Sequence, residues 1–219
     1  DGDMDLFFTA ENQTDVLFRE NTGTASSPGF GPVQTNPFNI SPTTYRHEEI
    51  NLIDIDGDGD LDMFNTDYGI FRFFENTGNA TTPAFASYQA FPFGLGFSPV
   101  YGTYGMDYTT FADVDGDGDF DVLGFAEGGW YNYPDGYYYF ENTGTPTAPG
   151  FQVAPQSLGL AFTGDYFWMD LADMDGDGDM DILGGRYNSS NFPYEEVVFY
   201  DNIGTPTNPA FPSTPDINP

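Results

Sequence analysis

Residues 54–62 read Asp54-Ile-Asp-Gly-Asp-Gly-Asp-Leu-Asp62, and the same pattern of five aspartates and two glycines returns at 113–121 and 173–181. Five carboxylates at alternating positions repel one another unless a counter-charge offsets them. The two glycines allow the backbone to curl so that these side chains converge. This combination suits a hard cation with oxygen ligands, and calcium is the usual one.

In each loop we assign side-chain ligation to positions 1, 3, 5 and 9, and backbone carbonyl ligation to position 7. A solvated acidic turn is the alternative interpretation, because Asp-Gly pairs are common in turns, but three copies with one spacing favour a metal site. The predicted ligands are Asp54, Asp56, Asp58, Asp60 and Asp62, then Asp113, Asp115, Asp117, Asp119 and Asp121, and then Asp173, Asp175, Asp177, Asp179 and Asp181.

Two other kinds of metal site are excluded by the residues present. An EF-hand needs a bidentate Glu at position 12 of the loop, but that position holds Asn65, Gly124 and Gly184. A transition-metal site needs thiolate or imidazole ligands, whereas the chain has no Cys and His47 is its single His.

The composition limits the function further. The 219 residues carry a formal net charge of −31, with no Lys, yet 18% of them are aromatic, which is typical of a folded domain rather than an acidic tail. Binding to nucleic acid is excluded, and binding to an anionic lipid surface is disfavoured, because the chain has only four strongly basic residues. No apolar run approaches the roughly 20 residues of a membrane span. No nucleophile motif is visible and we interpret His47 as structural, so we do not expect an enzyme.

The chain is made of four repeats. The full acidic loops begin at Asp54, Asp113 and Asp173, and Asp1-Gly-Asp-Met-Asp5 matches positions 5 to 9 of the loop. An Asn-x-Gly sequence follows each loop, and a Pro-x-Phe sequence follows that. We predict a single repeat domain over 1–219, with repeats at approximately 1–49, 50–109, 110–169 and 170–219.

Each repeat is predicted to form an antiparallel sheet, which makes the fold all-β. One strand leads into the loop, as at 50–54, and a second leaves it, as at 61–64. A third is rich in aromatic and β-branched residues, as at 70–74, and such residues favour strands. No segment shows a sustained 3.6-residue apolar period, so little or no helix is expected.

The repeated Asp-x-Asp-Gly-Asp-Gly-x-x-Asp loop, at a spacing near sixty residues, resembles the FG-GAP/VCBS repeat. This resemblance implies the blades of integrin-α-like β-propellers and of related secreted bacterial proteins. It also implies that the loop joins the first two strands of a blade and holds Ca²⁺. The family usually closes seven or eight blades, so a chain with fewer is expected to be a segment or subunit of a larger assembly.

The expected function is that of a calcium-stabilised extracellular structural or adhesive protein, such as a subunit of a surface fibre or filament. Calcium loops of this kind fill best outside the cell, where free calcium is about millimolar. The alternative is a carbohydrate-binding propeller that recognises a glycan or another cell-surface ligand. Aromatic faces stack on sugar rings, and the candidate side chains are Trp130, Tyr131, Tyr133, Tyr166 and Trp168.

The two chain ends suggest a fourth loop. Placed end to end, Asp216-Ile-Asn-Pro219 and Asp1-Gly-Asp-Met-Asp5 align with the acidic loop, with Asn at position 3 and Pro at position 4. We predict a split site at such a junction, and hence self-association head to tail or in a ring. Its candidate ligands are Asp1, Asp3, Asp5, Asp216 and Asn218.

Overall fold

The computed structural model describes residues 2–10, 14–40, 49–67, 70–95, 108–126, 136–152, 158, 160, 166–187 and 195–217. These ranges hold four antiparallel sheets and no α-helix, apart from a 3-10 turn at Pro92–Gly94. The prediction of an all-β fold is therefore confirmed. Six residues named in the sequence predictions lie outside the described ranges: Asp1, His47, Trp130, Tyr131, Tyr133 and Asn218.

In every sheet, hydrogen-bonded neighbours follow one another in chain order. Sheet 1 contains β1 (Leu6–Phe8), β2 (Leu17–Arg19) and β3 (Gln34–Thr35). Sheet 2 contains β4 (Glu49–Ile53), β5 (Asp62–Asp67), β6 (Ile70–Phe74) and β7 (Gln89–Ala90). Sheet 3 contains β8 (Tyr108–Ala112), β9 (Asp121–Ala126) and β10 (Gly136–Phe140). Sheet 4 contains β11 (Tyr166–Ala172), β12 (Asp181–Tyr187), β13 (Glu195–Tyr200) and β14 (Asp216–Ile217).

Each full acidic loop connects the first two strands of its sheet. The residue before the loop pairs with the aspartate at position 9, as Ile53 does with Asp62 and Ala112 with Asp121. Position 9 is therefore the first residue of the second strand. This is the placement that the family resemblance implied.

The hydrophobic cores lie between successive sheets. We call the side of a sheet that contacts the next sheet its forward face, and the other side its backward face. Phe64 and Phe71 on the forward face of sheet 2 meet Phe111 and Phe140 of sheet 3, with ring centroids 4.7 and 6.4 Å apart. The cluster between sheets 1 and 2 contains Val16, Ile40, Met63, Phe74 and Phe85. The cluster between sheets 3 and 4 contains Val114, Leu123, Tyr137, Ile182, Val198, Tyr200 and Phe211, among others.

A backbone hydrogen bond also links successive sheets. The N–H of Phe85, in the Pro-x-Phe of sheet 2, donates to the carbonyl of Phe38, and the N–H of Phe151 donates to that of Phe93. Phe38 and Phe93 both have positive φ, at 55° and 54°, which is uncommon for a bulky residue. In both cases a residue with a strained backbone conformation offers its carbonyl oxygen to the sheet that follows.

The first strands of sheets 2, 3 and 4 lie side by side. Asn51 Nδ2 donates to the carbonyl of Thr109 at 3.2 Å, and Thr110 Oγ1 donates to Asp170 Oδ1 at 3.2 Å. Glu49 accepts from both the N–H and the hydroxyl of Thr109. Sheets that stand face to face with their first strands adjacent have the arrangement of propeller blades.

Candidate metal centre

Carboxylate oxygens converge in all three full loops. The clusters are Asp54 with Asp56 and Asp58, Asp113 with Asp115 and Asp121, and Asp173 with Asp175 and Asp181. Within each cluster, one oxygen per residue lies within 4.8 Å of the others. Positions 1 and 3 belong to every cluster, joined by position 5 in one loop and by position 9 in two.

The backbone of the loops explains why these side chains converge. The glycines at positions 4 and 6 have positive φ, 69° and 94° at Gly57 and Gly59, which is a conformation that glycine adopts without strain. The curled chain then directs N–H groups at the carboxylates. The N–H of Gly59 donates to Asp54 Oδ2 at 3.0 Å, and that of Asp58 donates to Asp56 Oδ1 at 3.3 Å. One oxygen of such a carboxylate is held by the backbone, so the other is available to a cation.

Several of the remaining oxygens are buried and lack a hydrogen-bond donor among the described residues. They are Asp54 Oδ1, Asp60 Oδ1, Asp62 Oδ2, Asp113 Oδ1, Asp119 Oδ1 and Asp179 Oδ1. A buried carboxylate oxygen without a partner is strongly destabilising, and a bound cation would satisfy it. An all-oxygen donor set on a curled, glycine-containing loop fits calcium.

The pKa values of these carboxyls reflect the same crowding. Burial, followed by repulsion from neighbouring aspartates, raises the pKa of Asp119 and that of Asp179 to about 6. Burial raises the pKa of Asp62 and of Asp121 to about 7, although a backbone N–H donated to each opposes the shift. A divalent cation would favour the charged form of all four groups.

Position 7 differs from the simplest expectation. Asp60, Asp119 and Asp179 are only 7, 4 and 4% exposed, and each keeps one unpartnered oxygen. The loop pattern alone predicts only a backbone carbonyl ligand at this position. The buried carboxylates now make side-chain ligation a second candidate there, and the choice between the two remains a prediction.

The aspartate at position 9 connects the loop to the Asn-x-Gly sequence. The N–H groups of Asn76, Asn142 and Asn202 donate to Oδ1 of Asp62, Asp121 and Asp181 at 2.7, 2.8 and 2.9 Å. The N–H of Asn21 donates to Asp5 Oδ1 at 2.7 Å in the same way. Both features are visible in the sequence but their contact is not, because it joins residues that are 14 to 21 positions apart.

The side chain of the same asparagine closes the turn that follows. Asn142 Oδ1 accepts the N–H groups of Gly144 and Gly150, at 3.1 and 2.9 Å, and its Nδ2 donates to the carbonyl of Phe120 at 3.4 Å. Asn21, Asn76 and Asn202 accept the two corresponding N–H groups. We call these four residues the asparagine clamps. Each clamp fixes the Pro-x-Phe turn against the end of its acidic loop.

The predicted split loop is only partly within the described residues. Asp3 and Asp5 precede β1, and Asp5 makes the clamp contact of a position 9 residue. Asp216 lies in β14, where it pairs with Phe199 at the edge of sheet 4. Asp216 therefore has a role in its own sheet, and the joining of the two ends across copies remains a prediction.

Of the aromatic side chains proposed for glycan binding, the structure describes that of Trp168, which is exposed on β11. The backbone of Tyr166 belongs to the same strand. The described chain contains no helix that is both long and apolar enough to cross a membrane.

The FG-GAP-like repeat family matches residues 1–64 and again 54–124, which together make up more than half of the chain. The chain belongs to the FG-GAP-like repeat family. The Asp54 loop lies in both matches and the Asp113 loop lies in the second, so the acidic loops fall inside the family's repeat unit. No curated protein matches this FG-GAP-like chain.

Proposed function

We propose that this protein is a calcium-stabilised structural repeat module that works outside the cell. The observation that carries the proposal is the set of buried, unpartnered carboxylate oxygens at position 7 of all three full loops and at position 1 of two of them. Their residues would hold Ca²⁺, which supplies positive charge and oxygen coordination rather than reactivity. The role is structural because the cation would join the loop, the clamp and the sheet into one unit.

The chemistry of the site supports an extracellular location. Extracellular calcium modules bind the ion with dissociation constants of roughly 0.1–1 mM, which suits the roughly millimolar free calcium found outside cells. The formal net charge of −31 also favours a setting where divalent cations are abundant. Membership of the FG-GAP-like repeat family supports the same location.

Chelation tests the calcium proposal. A ligand that binds only the folded state stabilises it by about 2.7 kcal/mol per site at a hundredfold excess over Kd. We therefore expect the melting temperature to fall sharply in excess chelator and to recover with calcium. Magnesium should restore it poorly, because this ion demands a tighter octahedral shell. An identical melting curve with and without chelator would refute the proposal.

A single variant tests the ligand assignment. Asp115→Asn removes one position 3 carboxylate of the Asp113 loop and should weaken calcium binding at one site. Glu20→Gln makes the same change of charge at an exposed side chain outside the three full loops and serves as its control. Titration calorimetry of both variants should show one weakened site in the first and none in the second. Equal isotherms would contradict the assignment.

Glycan binding is a second candidate, supported by the exposed indole of Trp168. A flat aromatic face that is open to solvent can stack on a sugar ring. A glycan array with the wild-type chain and with Trp168→Ala tests this role. Binding that is lost in the variant would support a lectin, and the absence of binding by the wild type would contradict it.

A further inference from the structure

The forward faces of sheets 2, 3 and 4 carry equivalent residues in different environments. Loop position 2 is 2% exposed at Ile55 and 1% exposed at Val114, because the following sheet covers it, but 53% exposed at Met174. Val197 is the equivalent of Phe71 and Tyr137. Each of these three residues pairs with the fifth residue of the strand that leaves the acidic loop of its sheet. Those two aromatic residues are buried, whereas Val197 is exposed. The forward face of sheet 4 is thus an uncovered copy of an interface that the chain already uses twice.

The backward face of sheet 1 is the uncovered counterpart. Phe30 is the Pro-x-Phe residue of sheet 1 and is 41% exposed, whereas Phe85 and Phe151 are each 5% exposed. Leu6 corresponds to Met63 and Val122, which are fully buried against the preceding sheet, yet it is exposed as well. The residues that dock each later sheet onto its predecessor therefore face solvent in sheet 1.

The acidic loops take part in the same interface. A Cβ placed on Gly57 would lie 2.8 Å from the carbonyl oxygen of Pro146, and one on Gly116 would lie 2.9 Å from that of Pro206. The turn of each following sheet thus covers the preceding loop. Among the described residues, no atom lies within 4 Å of such a Cβ on Gly176. In sheet 1 the equivalent turn runs from Thr24 to Ser27 and is closed by the same two backbone hydrogen bonds as Thr145–Ala148 and Thr205–Asn208.

We propose that the forward face of sheet 4 binds the backward face of sheet 1 in a second copy of this chain. Met174 and Val197 would pack against Phe30 and Leu6, and the Thr24–Ser27 turn would cover the Asp173 loop. The contact repeats the geometry between sheets 2 and 3, so it is heterologous and generates a filament or a ring. Arg19 adds charge complementarity on the sheet 1 side, because its guanidinium is held beside Phe30 and would face an acidic loop.

The contact depends on calcium, and this part rests on the proposed function. The Asp173 loop lies within the docking face, and a net charge of −31 per chain opposes the approach of two copies. Loading the loop with calcium both fixes its shape and reduces that repulsion. Association is therefore expected in millimolar calcium and not in chelator.

Complementary variants test the contact. Val197→Asp spoils the sheet 4 face without touching the Asp173 loop, and Phe30→Asp spoils only the sheet 1 face. In calcium, sedimentation velocity over a range of concentrations should show association of the wild type and at least tenfold weaker association of each variant. An equimolar mixture of the two variants should form a dimer, because each supplies the intact face that the other lacks. Ile203→Asp is the control, because Ile203 is an exposed apolar side chain. The equivalent residues of sheets 2 and 3, Thr77 and Thr143, are exposed as well, so this position lies outside the contact between sheets.

Each outcome decides a separate part of the inference. Wild-type chain that stays monomeric while calorimetry shows bound calcium overturns the contact and leaves the proposed function standing. Absence of bound calcium overturns the proposed function itself. Association of Val197→Asp equal to that of the wild type places the contact on another surface and overturns the inference. Association that persists unchanged in chelator overturns its calcium dependence. Circular dichroism spectra that match the wild type establish that each variant is folded.

Discussion

At the scale of the residue, the carboxylates of this chain are stable only where each oxygen has a partner. The position 9 aspartates meet this need with backbone donors, since Asp121 accepts N–H groups from Asn142 and Val114 at 2.8 and 3.0 Å. Asp62 has the first donor but lacks the second, so one of its oxygens is left without a partner. Asp62 is therefore structural through one oxygen and available to a cation through the other.

The asparagine clamps are expected to contribute strongly to stability. Asn142→Ala leaves the N–H groups of Gly144 and Gly150 without their acceptor, at a cost of about 1–3 kcal/mol for each group that stays out of contact with water. We expect urea unfolding in saturating calcium to show a loss of about 2–4 kcal/mol. Asn208→Ala is the control, because Asn208 is exposed and should change stability by less than about 0.5 kcal/mol. Equal losses in the two variants would show that the clamp is not needed.

Glu49 is expected to make stability depend on pH. Burial raises the pKa of its carboxyl from 4.5 to about 7, although hydrogen bonds from Thr109 oppose the shift. Between these two values the folded chain holds a proton that the unfolded chain has released. The stability contributed by this proton is full below about pH 4.5 and is lost as the pH rises through about 7.

Glu49→Gln removes this titration and keeps an oxygen that can accept the Thr109 N–H. The free energy of unfolding of the variant relative to the wild type should therefore increase between about pH 5 and pH 8, by on the order of 1–3 kcal/mol. Chemical denaturation at several pH values, with calcium held at saturation, measures the difference. The exposed Glu20→Gln controls for the loss of one charge. A difference that stays constant across this range would rule out the proposed protonation of Glu49.

At the scale of the element, the loop of one sheet and the turn of the next form a single packing unit. Gly116 and Gly176 occupy the same position of their loops with similar positive φ, 71° and 84°. They differ in their surroundings, because Pro206 covers Gly116, whereas no atom of the described residues lies within 4 Å of a Cβ placed on Gly176. This pair separates the backbone requirement of the loop from the contact between sheets.

Gly116→Ala should therefore be more harmful than Gly176→Ala. Both variants force a residue with a Cβ into positive φ, which costs roughly 1–2 kcal/mol. Only Gly116→Ala adds a clash with backbone, for which overpacking typically costs a further 1–3 kcal/mol. Thermal and urea unfolding of the two variants in calcium measures the difference. Equal losses would mean that the turn moves aside at no cost.

The sequence predicted the elements better than their contacts. Ile70–Phe74 has the predicted bounds, and the strands on either side of each loop lie within a few residues of their predicted places, because local composition determines them. The two-residue strands β3, β7 and β14 were not predicted, since pairs such as Gln34–Thr35 have no strand-like composition. The Phe38 and Phe93 carbonyl contacts were also missed. The sequences Asn36-Pro-Phe38 and Phe91-Pro-Phe93 could have indicated these contacts. Their recurrence becomes visible only when the repeats are aligned with one another.

At the scale of the whole molecule, stability is distributed as in a repeat array, where each unit contacts only its neighbours. The three interfaces differ. The one between sheets 1 and 2 contains a cleft of about 750 Å³, lined by Phe7, Phe18 and Phe38 together with Asp3 and Asn76, among others. In the next interface, Gly57 and Pro146 meet closely instead. The cleft removes packing contacts from this interface, so we expect sheet 1 to be held less firmly than sheets 2 and 3.

Hydrogen exchange should therefore show that sheet 1 opens first. In calcium, and below the concentration at which copies associate, the amides of β2 should exchange at least tenfold faster than those of β6 and β10. The strands compared occupy the same place in their sheets, so the difference reports the neighbouring interface rather than the strand itself. One face of sheet 4 is uncovered among the described residues, so β13 should exchange at an intermediate rate. Raising the protein concentration until copies associate should protect β2 and β13 together, because the proposed contact covers both end sheets. Equal protection of β2 and β6 in the monomer would show that the four sheets unfold as one cooperative unit.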